Sequence, residues 1–308
     1  MVTGRIIGMH SGTLDKLTVM ERMYPVITPE YLRELTDTPG FVLVDARTGA
    51  FAKENFKAVH LKNAVFADID EDLADTKGDP AQGGRHPLPD IKNFASFLGR
   101  IGIGPETHVV VYDDKGGANA AARFWWMMRA VGHEKIQVLS GGLQAALSNG
   151  VELSTTETQV IEKPPYPAEK WLLPLVNIDE VARAAADPEY MVIDVREAFR
   201  YRGESEPIDK VAGHIPGAHN VPYTHNLDEN QSFLPQVVLE RKFTNILNGK
   251  DPNKVIVHCG SGVTACHTAL AMEMAGVPVP ALYVGSWSEW SRNDRPVGKS
   301  TGIPTQFF

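Results

Sequence analysis

The chain has 308 residues, which is enough for two domains of ordinary size. Hydrophobic residues make up 43% of the sequence and charged residues 22%, the proportions of a soluble globular protein. The formal net charge of −8 argues against a nucleic-acid partner, and no apolar run approaches the length of a membrane span, so we expect no membrane partner.

Residues 1–23 contain no apolar segment followed by a small-residue cleavage site, so the sequence predicts no secretory signal. This stretch is also poorly patterned, and the folded part is expected to begin near Tyr24. The two cysteines, Cys259 and Cys266, give neither a disulfide framework nor a metal-ligand spacing. We therefore expect a cytoplasmic protein.

The first half of the chain alternates predicted helices and strands. Residues 27–30 predict a helix start with proline in the first turn, and 41–47 predict a strand that ends in Asp-x-Arg. A histidine follows at His60, then a helix over 90–100, and 108–113 predict a second strand.

The second half repeats this order. Residues 177–180 predict an Asn-capped helix start, 191–196 a strand that again ends in Asp-x-Arg, and His214 follows. A helix over 236–247 precedes a strand over 254–259, and each half closes with a strand, a glycine and a short helix. Strands that alternate with helices predict an α/β fold of two tandem domains, each a mainly parallel sheet with helices on both faces.

The predicted domain limits follow from this repeat. Residues 24–150 form the first domain and 172–297 the second. Residues 151–171 between them are rich in Thr, Ser and Pro, which is typical of a linker that lies over the surface.

The loop after the second strand of the second half carries a thiol. The β-branched residues 255–257 predict a buried parallel strand, and a helix is predicted from Thr264 onward, so Cys259 lies at the carboxyl end of a strand. Gly260 and Gly262 allow a tight turn in which several N–H groups point at one atom. Together with the positive end of the helix dipole, this turn is suited to hold an anionic sulfur.

Two other interpretations of Cys259 compete with this one. A free cysteine is commonly a small buried apolar residue, but such a residue does not need a strand–Gly–x–Gly–helix turn. A cysteine phosphatase loop reads His-Cys-x-x-Gly-x-x-Arg, and this sequence matches it from His258 to Gly262. Ala265 then replaces the arginine that grips phosphate with a bidentate fork, which argues against phosphatase chemistry.

The stretch Cys-Gly-Ser-Gly-Val-Thr-Ala at 259–265 resembles the active-site loop of the two-domain rhodanese-like sulfurtransferases. Within them it is similar to the 3-mercaptopyruvate branch, whereas thiosulfate-using members more often carry Cys-Arg-Lys-Gly-Val-Thr-Ala. The resemblance covers 24–297 and implies that Cys259 takes up a sulfane sulfur as a persulfide. It also implies that the first domain is a catalytically silent wall of the cleft, because Asp113 occupies the position of the cysteine and cannot carry sulfur.

The resemblance also implies a cation for the small anionic sulfur donor. Arg200 occupies the position of the substrate arginine of the family, and Arg196 is a second candidate. Because Arg196 matches Arg47 of the silent half, pairing with Asp194 is its competing role. Members of the branch often carry another arginine shortly afterwards, but here 207–210 read Pro-Ile-Asp-Lys.

Sulfur transfer from mercaptopyruvate leaves pyruvate enolate, which must be protonated. The resemblance implies that Asp70, His86 and Ser261 move this proton, and a histidine held by a carboxylate suits that role near neutral pH. The competing interpretations are that His86 is a turn residue between Gly84 and Pro87, and that Ser261 only satisfies the loop backbone.

These observations predict a sulfurtransferase without metal or cofactor that moves sulfur from 3-mercaptopyruvate through Cys259 to cyanide, a thiol or a thioredoxin-like acceptor. A thiosulfate:cyanide sulfurtransferase is the alternative within this class, and a non-turnover persulfide carrier or redox sensor is the alternative outside it. Cys266 is expected to pack inside its helix. The residues expected to shape the active loop are Gly260, Gly262, Val263 and Thr264.

Overall fold

The computed structural model describes residues 23–300. The prediction of no secretory signal in 1–23 therefore falls almost wholly outside the described residues. In chain order the first half contains β1 (Val26–Ile27), α1 (Pro29–Leu35), β2 (Phe41–Asp45), α2 (Ala52–Ala58), β3 (His60–Leu61), β4 (Ala64–Phe66), α3 (Ile91–Arg100), β5 (His108–Tyr112), α4 (Ala120–Ala130), β6 (Ile136–Leu139), α5 (Gly142–Ser148) and β7 (Leu153–Ser154).

The second half contains α6 (Ile178–Ala186), β8 (Met191–Asp194), α7 (Ala198–Arg202), β9 (His219–Asn220), α8 (Gln236–Leu247), β10 (Val255–His258), α9 (Thr264–Met274), β11 (Ala281–Leu282) and α10 (Ser286–Trp290). Two short 3-10 helices, Tyr223–Asn226 and Pro252–Lys254, precede α8 and β10. The helices predicted over 90–100 and 236–247 correspond to α3 and α8.

Each half forms one parallel sheet with the same topology. The strand order is β1-β6-β5-β2-β4 in the first half and β11-β10-β8-β9 in the second. A parallel bridge from Leu175 to Leu282 adds, beside β11, the element that corresponds to β1. The predicted fold of two tandem α/β domains with parallel sheets is confirmed. A short antiparallel pair of β3 and β7 lies apart from both sheets.

The two Asp-x-Arg segments form the same hydrogen bonds. In each, the arginine Nη2 donates to the aspartate Oδ2 at 2.6 Å, as Arg47 does to Asp45 and Arg196 to Asp194. The backbone N–H of each arginine also donates to the aspartate Oδ1. Because this local turn takes the backbone out of the ladder, β2 and β8 end at the aspartate, and the strands predicted to 47 and 196 were two residues too long.

The helices α4 and α9 pack against each other between the sheets. Every residue of α4 is buried, and nearly all of α9 is, as expected for helices covered on all sides. One hydrophobic core contains residues from both halves. Because α4 follows the Asp113 loop and α9 follows the Cys259 loop, this packing brings the two loops to one interface. None of the helices in the described part of the chain is long and apolar enough to cross a membrane.

The predicted linker is fixed along the first half. Residues 155–174 contain no helix or strand. The backbone N–H of Lys163 donates to the carbonyl of Gly99 at 2.9 Å, and that of Tyr166 to the carbonyl of Ala95 at 2.9 Å, so the segment is held against α3.

Candidate active site

A cleft of about 880 Å³ opens between the two halves. Its lining comes from loops that follow strands in both sheets, and Cys259 lies at its floor, directly after β10 and only 2% exposed. The thiol therefore lies at an open cleft that the two halves form together, at the strand ends where the sequence places it.

The loop that follows Cys259 is held by its carbonyl groups. The carbonyl of Cys259 accepts a hydrogen bond from the N–H of Trp287 at 3.0 Å. Gly262 has a φ of 76°, and a Cβ atom there would lie 2.5 Å from the carbonyl oxygen of Val284, so only glycine fits. Within residues 23–300, the backbone N–H groups of 260–265 donate no hydrogen bond to another protein group, which leaves them available to an anion.

The corresponding loop of the first half already surrounds a carboxylate. Asp113 lies directly after β5 and is fully buried. Its carboxylate accepts hydrogen bonds from four backbone N–H groups, those of Lys115 (2.9 Å), Gly117 (2.8 Å), Asn119 (2.9 Å) and Ala121 (3.1 Å). A turn between strand and helix at this place in the fold can thus collect several N–H donors around one acceptor group.

The structure brings the three predicted proton-transfer residues together across the interface. His86 Nδ1 lies 2.8 Å from Ser261 Oγ, and His86 Nε2 lies 3.3 Å from Asp70 Oδ1. Because a carboxylate only accepts, Asp70 favours the tautomer with the proton on Nε2, and Nδ1 then accepts from the Ser261 hydroxyl. Ser261 is therefore hydrogen-bonded to an imidazole from the first half.

Burial lowers the pKa of His86 from its usual value to about 4. The neighbouring charges of Arg85 and Arg123 lower this pKa further, while Asp70 opposes the shift. The imidazole of His86 is therefore neutral around pH 7. It can take up a proton and pass it to the Ser261 hydroxyl, whereas a charged imidazolium could take up no further proton.

We expect the Hε1 resonance of His86, assigned by its loss in His86→Gln, to stay unshifted as the pH falls from about 8 to about 5.5. The unfolded chain binds the proton near pH 6.5 and the folded chain only near pH 4. The free energy of unfolding is therefore expected to fall as the pH drops from about 6.5 to about 4, because the unfolded chain takes up the proton first. A midpoint near 6.5 in the NMR titration would contradict the buried, neutral histidine.

The two predicted substrate arginines are both engaged by carboxylates of the protein. Arg200 donates through Nε and Nη2 to Glu206, at 3.1 and 2.8 Å. Arg196 is 1% exposed, and besides Asp194 it contacts Glu206 at 3.2 Å and lies 4.6 Å above the ring of Trp287. This geometry favours a structural role for Arg196 and leaves Arg200 at the edge of the loop.

Sequence reasoning assigned no role to Arg123, which joins the two halves beneath the loop. It is fully buried in α4, and its guanidinium donates to the carbonyl of Gly262 at 3.1 Å and to that of His86 at 3.2 Å. Burial lowers the pKa of Arg123. An arginine inside the apolar run of α4 was the one signal that could have indicated it. Arg85, next to His86, was missed as well, and it also lines the cleft.

Cys266 lies packed in α9, as the sequence predicts. It is fully buried, its thiol donates to the carbonyl of Gly262 at 3.3 Å, and burial raises its pKa to about 12. A thiol with this pKa stays protonated and is a poor nucleophile. Across residues 23–300, no group of three or more His, Cys, Asp or Glu side chains is arranged to hold a metal ion.

The fold and the site together define a tandem-domain α/β protein with one cysteine loop at the domain interface. Residues 28–149 and 177–293 each match the sequence model of the rhodanese-like domain. The chain therefore belongs to the two-domain rhodanese-like sulfurtransferases, as the resemblance of its active loop predicted.

Some relatives are named after 3-mercaptopyruvate as the sulfur donor and others after thiosulfate. A probable 3-mercaptopyruvate sulfurtransferase of Pseudomonas aeruginosa is 35% identical over 275 residues, which cover 88% of this chain and 96% of that protein. A thiosulfate sulfurtransferase of Gallus gallus is 34% identical over 259 residues, covering 82% of this chain and 85% of that protein. The solved structure of 3-mercaptopyruvate sulfurtransferase from Leishmania major aligns with a TM-score of 0.77 at 29% identity, over 90% of this chain and 76% of that one.

Proposed function

We propose that the chain is a 3-mercaptopyruvate sulfurtransferase that carries the sulfur as a persulfide on Cys259. The observation that carries this proposal is the contact of Ser261, in the loop that follows Cys259, with His86, and of His86 with Asp70, at 2.8 and 3.3 Å. Mercaptopyruvate leaves a carbon atom to be protonated, whereas thiosulfate leaves sulfite. A hydroxyl that donates its proton to carbon and regains one through a neighbouring imidazole is useful to the first donor and unnecessary for the second.

In the first half-reaction the thiolate of Cys259 attacks the sulfur of mercaptopyruvate. A sulfur–sulfur bond forms, the carbon–sulfur bond breaks, and its electron pair passes to carbon as pyruvate enolate. The Ser261 hydroxyl gives its proton to that carbon, and Ser261 recovers through His86 the proton that the donor thiol brought. The products are pyruvate and an anionic Cys259 persulfide, which the free N–H groups of 260–265 stabilise.

In the second half-reaction an acceptor attacks the outer sulfur of the persulfide. The sulfur–sulfur bond breaks, its electron pair returns to Cys259, and the acceptor leaves with the sulfur. We propose a small thiol or a thioredoxin-like thiol as the acceptor, with cyanide as a convenient substitute. Since both cysteines are free, and Cys259 must stay reduced between turnovers, we propose a reducing compartment such as the cytoplasm.

The test is to treat the protein with mercaptopyruvate without an acceptor. We expect one equivalent of pyruvate and a mass increase of about 32 Da, the mass of one sulfur atom, which cyanide reverses with release of thiocyanate. With excess cyanide, pyruvate release should continue over many turnovers, and kcat/KM should be higher for mercaptopyruvate than for thiosulfate. A preference for thiosulfate would contradict the proposed donor. Pyruvate release that stops after one equivalent even with excess cyanide would indicate a carrier or sensor instead.

A further inference from the structure

The segment of the first half that carries His86 lies along α10 of the second half. Three backbone groups of this His86 segment (residues 81–86) bond to side chains of α10 and of the turn after it: the carbonyl of Ala81 accepts from Asn293 at 2.9 Å, the N–H of Gly83 donates to Glu289 at 2.8 Å, and the N–H of Arg85 donates to the Ser288 hydroxyl at 3.0 Å. Gly84 lies so close to the start of α10 that a Cβ atom there would overlap the carbonyl oxygen of Gly285. The position of His86 therefore depends on contacts with the other half.

Ser288 of α10 contacts both sides of the Ser261–His86 hydrogen bond. Its N–H donates to the carbonyl of Gly260 at 2.9 Å, and its hydroxyl accepts from the N–H of Arg85 at 3.0 Å. Gly260 is the residue directly before Ser261, and Arg85 is the residue directly before His86. Because Ser288 is fully buried, its two contacts fix the distance between these two stretches of backbone.

Arg123 of α4 makes a second connection of the same kind. Its Nη1 donates to the carbonyl of Gly262 at 3.1 Å, and its Nη2 donates to the carbonyl of His86 at 3.2 Å. Gly262 is the residue directly after Ser261. Two side chains, on α10 and on α4, thus join the backbone around Ser261 to the backbone around His86.

The hydrogen bond that these contacts surround is sensitive to small displacements. Ser261 Oγ and His86 Nδ1 are 2.8 Å apart, although the two residues are 175 positions apart in the sequence. A misplacement of about 1 Å can cost about 100-fold in rate. Arg85 adds a contact through its side chain, since its Nε donates to Asp209 of the second half at 3.1 Å.

We propose that Ser288 and Arg123 are positioning residues that hold His86 of the first half against Ser261 of the second. This rests on the proposed function, because the hydrogen bond they maintain serves the protonation of carbon. Neither residue touches the donor or the sulfur in this role. They act on the rate of proton transfer through the distance between Ser261 and His86.

Ser288→Ala tests the first of the two residues. It removes the hydroxyl that binds Arg85 but keeps the N–H that holds Gly260, and it changes no charge. We expect kcat with mercaptopyruvate to fall by roughly 10- to 100-fold. KM should stay close to wild type, and turnover of thiosulfate should change by no more than a few-fold. Combining Ser288→Ala with Ser261→Ala should give no larger loss than Ser261→Ala alone, because Ser288 acts through the same step.

The NMR titration of His86 gives a second measurement that needs no turnover. In Ser288→Ala a loosened His86 segment exposes the imidazole, so its Hε1 resonance should shift between about pH 8 and about pH 5.5, where we expect none in wild type. The charged groups beside His86, which are Asp70, Arg85 and Arg123, all remain in this variant. A shift would therefore report a change in the burial of His86. Identical titrations in Ser288→Ala and wild type would contradict the positioning role.

Ser291→Ala is the matched control, because it makes the same change at the end of the same helix. Within residues 23–300, the Ser291 hydroxyl has no hydrogen-bond partner. Both donors and the His86 titration should match wild type. If Ser288→Ala keeps the wild-type kcat with mercaptopyruvate, the inference is wrong. If it slows both donors equally and lowers the melting temperature, Ser288 acts only on the fold.

Arg123→Lys tests the second residue. Lysine keeps the charge but lacks the fork that reaches Gly262 and His86 at once, so kcat with mercaptopyruvate should fall while thiosulfate is still turned over. Equal loss with both donors would overturn the role of Arg123, and if this variant does not fold, Ser288→Ala alone decides. If wild type takes up no sulfur from mercaptopyruvate, the proposed function fails, and the titrations of wild type, Ser288→Ala and Ser291→Ala still test the positioning.

Discussion

Cys259→Ser is expected to abolish sulfur transfer from every donor while the protein stays folded. A serine hydroxyl forms no persulfide, so no sulfur can be stored between the two half-reactions. The contacts that hold the loop use the backbone of Cys259, whose carbonyl accepts from Trp287 and whose N–H donates to the Ser286 hydroxyl at 3.1 Å. The substitution leaves both contacts in place. Pyruvate release, the mass of the protein after donor treatment and a thermal melt measure the outcome.

Cys266→Ser is the matched control for this experiment. The Cys266 thiol is buried and protonated, and a serine hydroxyl there can still donate to the carbonyl of Gly262. We expect its turnover to remain close to wild type. Turnover above a few per cent in Cys259→Ser, or an inactive Cys266→Ser, would show that the sulfur is not carried on Cys259 alone.

The repeated architecture could be predicted from the sequence because its signals are local. Alternating apolar strands and periodic helices recur in both halves, and each strand that ends at Asp45 or Asp194 is followed by the same turn. The Gly-x-Gly turn after Cys259 likewise fixes the loop within a few residues. The strand ends were overextended because the aspartate side chain competes with the ladder for the arginine N–H, which hydrophobicity alone does not reveal.

The candidate site depends on contacts between the halves, and these carry no local signal. His86 and Ser261 are 175 residues apart in the sequence, and Arg85 and Asp209 are 124 apart. The resemblance to the family implied roles for His86 and Ser261, but no residue near Arg85 in the sequence indicates that Asp209 is its partner. Arg123 was missed for the same reason, since its acceptors are backbone carbonyls on other elements.

Ser261→Ala is expected to separate the two donors. General acid catalysis typically contributes about 10²- to 10⁴-fold, so kcat with mercaptopyruvate should fall by at least roughly 100-fold. Sulfite departs from thiosulfate without protonation at carbon, so turnover of thiosulfate should change by no more than a few-fold. His86→Gln should show the same selectivity. The double variant should be little worse than either single one, because the residues act as a unit.

Ser261→Lys tests how a positive charge at this position changes the choice of donor. The lysine ammonium would lie in the cleft near Arg85 and His86, where it cannot replace the serine as a proton relay but adds a positive charge for the doubly charged thiosulfate. We expect turnover of mercaptopyruvate to fall and kcat/KM for thiosulfate to rise, and high salt should partly reverse the rise because it screens the added charge. Both donors are measured on wild type, Ser261→Ala and Ser261→Lys at low and high salt. If both substitutions weaken the two donors equally, Ser261 shapes the loop and does not select the donor. If wild type already prefers thiosulfate, the proton transfer from Ser261 to carbon is not the step for which this site is built.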